Sequence, residues 1–213
     1  MNPPSCLIIG CGHFGSRAIE TLLRKDHRVA VIVVDKDEKA LEKVSSFHVE
    51  RITGDGISFL NQSLKKRRDT YIIPAVPFHL AFEYILSQLK PLGAKRRKVS
   101  DITGLPNPMK GKSGDLYTSI ADFLCPGDCP EPLYCSVTGE KRSKPLFRIL
   151  IDLSGPFESK VIHSIQLGPG VGGFRLERLL NLTEEIKKRR KQGHLFLVST
   201  ACRCHGVTSA LSF

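Results

Sequence analysis

A chain of 213 residues with a formal charge of +11 and 41% hydrophobic residues is globular, with enough material for one large domain or two small ones. No apolar stretch approaches the length of a membrane span, and Met1-Asn2-Pro3-Pro4-Ser5 lacks the basic flank and apolar core of a signal peptide, so a cytoplasmic location is expected. Seven cysteines in that compartment point to packing or metal ligation rather than to a disulfide framework.

Residues 7–9 read as a strand that runs into Gly10-Cys11-Gly12-His13-Phe14-Gly15, and residues 16–25 continue at helical period. A second apolar run, residues 29–34, ends on Asp35 about twenty positions beyond the glycines. Each part has a task in a dinucleotide-binding βαβ unit. Gly10 permits the tight turn, Gly12 leaves room for a pyrophosphate, and Gly15 lets helix and strand approach. The helix N-terminus, with His13 and Phe14, offers unpaired N–H groups to phosphate. Asp35 stands where a carboxylate accepts hydrogen bonds from a ribose diol.

Next come a short helix over residues 38–45, a strand over 48–52 closed by Thr53-Gly54-Asp55-Gly56, and a helix over 57–64. A strand over 71–73 leads into Pro74-Ala75-Val76-Pro77, where Ala75 and Val76 follow a strand as cofactor contacts do, and an amphipathic helix covers 78–89. His79, near the expected nicotinamide end, is a general acid or base by type, or more plainly a rim histidine opening a helix. This alternation gives an α/β fold with a Rossmann-like parallel sheet over residues 1–92.

Residues 93–145 form a Pro/Gly/Cys-rich insert or linker. Residues 146–213 then read as a second α/β unit. Strands are expected at 146–153 and 160–167, a glycine turn at 168–173 opening a helix over 174–191, and a last strand at 194–199. Three basic runs (65–68, 95–98 and 187–191) lie at or near expected helix ends, where cations complement the dipole. No aromatic platform accompanies them, so nucleic acid is not an expected partner.

The glycine turn, the acid ending the second strand and the Gly54-Asp55 turn together resemble the NAD-binding domain of bacterial potassium-uptake regulators, the TrkA N-terminal family. The resemblance covers about residues 5–90 and implies that Asp35 binds the adenosine ribose and that Asp55 approaches the adenine. A similar layout serves an enzyme in the dehydrogenase domain of siroheme synthases. Neither family leads to the cysteine-bearing second half, so potassium-channel gating is not carried over.

Cysteines cluster twice in that half: Cys125, Cys129 and Cys135 in a proline-rich loop, and Cys202 and Cys204 beside His205. Spacings C-x3-C-x5-C and C-x-C-H supply more thiolates than a four-ligand site needs. The metal is read as zinc or an iron–sulfur cluster, bound by Cys125, Cys129, Cys135, Cys202 and Cys204, with a thiol switch or plain packing as alternatives. If both halves share one sheet, that centre lies at the cofactor edge.

The function expected is an NAD(H)-binding protein with a cysteine-ligated metal and a redox-linked, oxidoreductase-like role. The competing readings are a non-enzymatic NAD/NADH sensor and a basic nucleic-acid binder. Expected partners are the nicotinamide dinucleotide, a small-molecule substrate or partner protein, and a second copy of the chain in a homodimer.

Overall fold

The computed structural model describes residues 5–63 and 70–213, so Leu64 and the basic run at 65–68 lie outside the described residues. The first five elements follow the alternation expected: β1 (Ser5–Ile9), α1 (His13–Lys25), β2 (Ala30–Asp35), α2 (Glu38–Glu42) and β3 (Glu50–Thr53). They continue with α3 (Gly56–Ser63), β4 (Thr70–Pro74) and α4 (Leu80–Leu89). Side-chain alternation makes both faces of this sheet apolar, as buried parallel strands require. Leu7, Ile9, Ile32, Val34 and Ile72 enter one core, and Cys6, Ile8, Val31, Val33 and Ile73 enter another with α1 and α2.

The chain then builds a second sheet from β5 (Lys95–Arg97), β6 (Met109–Lys110), β7 (Leu116–Ser119), β8 (Glu158–His163), β11 (Leu195–Ala201) and β12 (His205–Ser212). Between β8 and β11 it returns to the first sheet as the hairpin β9 (Ile165–Gly168) and β10 (Val171–Arg175), followed by α6 (Leu176–Arg189). The first sheet is thus ordered β3-β2-β1-β4-β10-β9, with β10 antiparallel to β4. Helices α3, α4 and α6 fill the space between the sheets, where Phe82, Phe174, Leu179, Ile186 and Phe196 share one core. Helix α5 (Leu146–Ile151) covers the far face of the second sheet. Among the described residues no helix is long and apolar enough to cross a membrane.

Several expectations for the second half are corrected. Within the strand expected at 146–153, residues 146–151 are helical, not extended. Pro145 opens α5, Leu146 and Leu150 are buried one turn apart, and the first N–H groups donate to the carbonyls of Arg203 and Cys202. The strand expected at 160–167 is two strands in different sheets, broken at Ser164, whose N–H donates to Ala201 O. Glycines 168–173 do not open a helix: Gly170, at φ +67°, turns the β9–β10 hairpin, and α6 begins only at Leu176. The expected β-loop-α-β unit does form, from β8 through the inserted hairpin and α6 to β11, which lies parallel to β8, and the described strands are divided between two sheets. Strand β12 was not expected at all. The run at 95–98 is not a helix end, since residues 95–97 are an edge strand on β12, whereas the run at 187–191 does complete the basic last turn of α6.

Candidate functional site

The glycine turn is built as its residues dictate. Gly10 sits at φ +101°, and a Cβ there would collide with the carbonyl oxygen of Ala75; Ala75 in turn donates its N–H to Ile9 O at 2.8 Å. A Cβ on Gly15 would collide with Gly10 O, so α1 rests directly on the turn. At Gly12 a Cβ would meet nothing within 4 Å. The two outer glycines thus serve the backbone, and the middle one faces open space. Asp35 accepts from the N–H groups of Cys11 (2.5 Å) and Asp37 (2.9 Å), which ties the end of β2 to the turn. Asp55 accepts from Ser58 N and Oγ at the start of α3 and pairs with Lys36 Nζ at 2.9 Å, which holds its carboxyl down at about 2.

A cavity of about 320 Å3 opens over this turn, lined by Gly12, His13, Phe14, Ala75, Val76 and Pro77 and closed by Gly170, Val171 and Gly172 of the hairpin tip. The antiparallel pairing of β10 on β4 carries that tip to the carboxyl end of the parallel strands. It joins there the Cys loop: Arg17 on α1 donates to Gly127 O, and a Cβ on Gly170 would collide with the same carbonyl. A larger groove, about 760 Å3, runs along α1 between Arg17, Arg24, Lys25, Asp128 and Pro169.

His79 is not on a rim. It is 4% exposed, with Nδ1 2.8 Å from Ser209 Oγ and Nε2 2.9 Å from Thr200 Oγ1. Ser209 donates its own proton to Asp115 (2.5 Å), so it accepts from Nδ1–H, and Nε2 accepts from the Thr200 hydroxyl. Burial lowers the imidazole to about 3, outweighing the nearby Asp115. Asp115 itself lies below the usual carboxylate range: burial pushes it up, but the hydroxyls of Ser113 and Ser209 and the Arg96 guanidinium prevail. A second cavity of about 460 Å3 between the sheets is lined by His79, Thr200, Phe78, Tyr117 and Phe174.

The two cysteine clusters meet. Cys125 Sγ lies 3.6 Å from His205 Nε2, eighty positions away, and Cys202 Sγ lies 3.9 Å from His205 Nδ1. Glu131, Cys202 and His205 bring one ligand atom each within 4.8 Å of one another. At Cys135, a charge neighbour of Cys125, backbone N–H groups of Thr138 and Val137 and the Arg142 guanidinium lower the thiol to about 6. Burial and Glu131 push Cys202 up to about 12 and Cys204 to about 11. Burial likewise raises Cys125, with the neighbouring Cys129 and Cys135 adding to it. Cys6 and Cys11 are buried core thiols, as small apolar side chains, and Cys11 Sγ donates to Ala40 O. His205 adjoins the second cysteine pair as the C-x-C-H spacing showed, whereas Glu131 is the member of this trio that the cysteine pattern did not point to; its one local signal is its place between two prolines inside the loop.

The strand order, the glycine turn and the acid at the end of β2 define a Rossmann-like α/β fold, and residues 6–62 match the TrkA-N domain. Residues 81–213 match the family described as "Uncharacterized protein, C-terminal domain", and the chain belongs to that family. An uncharacterized protein of Archaeoglobus fulgidus (strain ATCC 49558 / DSM 4304 / JCM 9628 / NBRC 100126 / VC-16) is 30% identical over 220 residues, spanning 96% of this chain and 98% of that one. No solved structure matches the chain.

Proposed function

We propose that this is an NAD(H)-binding protein in which occupancy of the glycine turn is passed to a metal-bearing cysteine loop, a redox-linked nucleotide sensor. The observation that carries the reading is the cavity over Gly12, whose far wall is the hairpin tip Gly170, Val171 and Gly172 rather than part of the N-terminal unit. A dinucleotide there takes its pyrophosphate at Gly12 and the start of α1, and its adenosine ribose at Asp35. The nicotinamide contributes a hydride acceptor or donor. This chain's own residues bind and orient it through Ala75, Val76 and Pro77. Arg17 then links α1 to Gly127 in the Cys loop, so a shift of α1 on binding is felt where the thiols are.

A second reading, an oxidoreductase, is favoured by the 460 Å3 cavity, which shares Pro74, Val76 and Pro77 with the first and holds the Thr200 hydroxyl against His79. There a substrate lies beside the nicotinamide end, and the Thr200 hydroxyl is the polar group that faces it.

The test is NADH titration of the full-length protein, followed by hydrogen exchange with and without NADH. The sensor reading expects saturable binding and altered protection at residues 125–135. Binding with an unchanged loop favours the oxidoreductase reading, and no binding refutes both.

A further inference from the structure

The cysteine loop and the turn at residues 202–205 converge at a point where three kinds of ligand atom lie together. A carboxylate oxygen of Glu131, Sγ of Cys202 and a ring nitrogen of His205 are all within 4.8 Å of one another. Donors bound to one ion at roughly 2.0–2.3 Å lie roughly 3–4.6 Å apart, so one ion spans this triangle with little movement of the chain. Among the described residues this is the one group of three or more His, Cys, Asp or Glu side chains that meets so closely.

The backbone on both sides holds the donors in place. Cys202 N–H donates to His205 O at 2.9 Å, and His205 N–H donates back to Cys202 Sγ at 3.2 Å, so the turn closes on its own sulfur. Glu131 stands at φ +54°, a left-handed conformation that L-residues seldom adopt, between Pro130 and Pro132. Its carboxylate accepts from Arg203 N at 3.2 Å, which directs it to the turn. Cys125 approaches the imidazole at Nε2.

We infer that Glu131, Cys202 and the Nδ1 side of His205 hold a single divalent ion of the zinc class, with its fourth position open. This rests on the reading that the loop carries a metal, and it chooses between the two metals left open by the sequence. A carboxylate, an imidazole and a thiolate together suit zinc, whereas iron–sulfur clusters draw chiefly on thiolates. Binding releases the thiol proton to solvent as Cys202 becomes a thiolate.

The experiment strips the full-length protein with a chelator and titrates it with Co2+, then with Zn2+. The parent is expected to take one Co2+ with thiolate charge-transfer absorption and to yield it to Zn2+. Glu131→Gln and His205→Asn are expected to weaken Co2+ binding by at least about 10–100-fold, the scale already seen for outer-shell partners. Cys129→Ser, Cys135→Ser and Cys204→Ser are expected to keep it. Circular dichroism and thermal unfolding select folded variants, and His205 is exposed, so its replacement leaves the core untouched. Parental affinity in Glu131→Gln and His205→Asn, with loss in the three serine variants, overturns this ligand set and leaves a cysteine-only metal centre standing. A parent that takes no Co2+ or Zn2+ overturns the metal reading itself.

Discussion

Arg17, one turn into the first helix, donates to the carbonyl of Gly127, 110 positions further along the chain. Nothing in the local pattern of either residue announces the other. Their contact places the irregular cysteine loop against the helix whose N-terminus faces the cavity over Gly12. It is reinforced by Gly170, whose missing side chain lets the hairpin tip lie against the same carbonyl. Three segments far apart in sequence therefore share one point at the carboxyl end of the parallel strands.

The glycines of the turn separate binding from folding. Gly12→Val is expected to abolish dinucleotide binding while keeping the parental unfolding temperature, since its Cβ meets nothing within 4 Å. Gly15→Ala is expected to destabilise the fold by about 1–3 kcal/mol, because the new methyl meets Gly10 O and the helix must shift. Calorimetric titration and denaturant unfolding of the two variants read the two effects apart.

Asp35→Ala is expected to weaken NAD binding by about 1–3 kcal/mol, the scale for losing hydrogen bonds to a charged group. The parent is expected to prefer NAD(H) over NADP(H), because the Asp35 carboxylate repels a 2′-phosphate and Lys36 is engaged with Asp55. Equal affinity for both cofactors in the parent would remove Asp35 from the ribose.

His79 sets an acid limit on stability. Its imidazole ionises near 6.5 when unfolded and near 3 when folded, chiefly because burial disfavours the cation. Between these values the unfolded chain binds the extra proton, so the stabilisation is fully present above about pH 6.5 and is lost as pH falls toward 3. The slope from this one group is at most about 1.4 kcal/mol per pH unit. His79→Gln is expected to be less stable at pH 7 and to show a shallower fall below pH 6. Urea unfolding across that range measures both.

Gly170→Ala is expected to leave the parallel sheet intact and to displace the cysteine loop, since the added methyl collides with Gly127 O at a backbone φ of +67°. Faster proteolysis confined to residues 125–135, with unchanged far-ultraviolet circular dichroism, is the result that supports the packing described. Arg17→Ala is expected to act in the same direction and more weakly, because it removes one exposed hydrogen bond and adds no collision.

The N-terminal half was legible because its determinants are local. Continuous apolar runs in β1 and β2, glycines at fixed offsets and an acid at the end of β2 each specify a conformation within a few residues. The same reading extended to the structural role of Gly10 and Gly15 and to buried Cys6 and Cys11. The run Leu-Phe-Arg-Ile-Leu-Ile of α5 was not legible, since a short apolar stretch fits strand and helix alike and the carbonyls of Cys202 and Arg203 tipped it to helix.

By itself, then, the sequence determined a Rossmann-like first sheet, a glycine turn with an acid at the end of β2, and two groups of thiols. Only the tertiary structure decided that β9 and β10 leave the second sheet to complete the first, because strand pairing depends on partners distant in the chain. It also decided that His79 is buried between Ser209 and Thr200, since burial is a property of what packs above a residue and not of its neighbours in sequence. The meeting of Cys125 and Glu131 with Cys202 and His205 has the same origin. Their convergence depends on where β11 ends relative to a loop seventy positions earlier, and only the packed chain sets that distance.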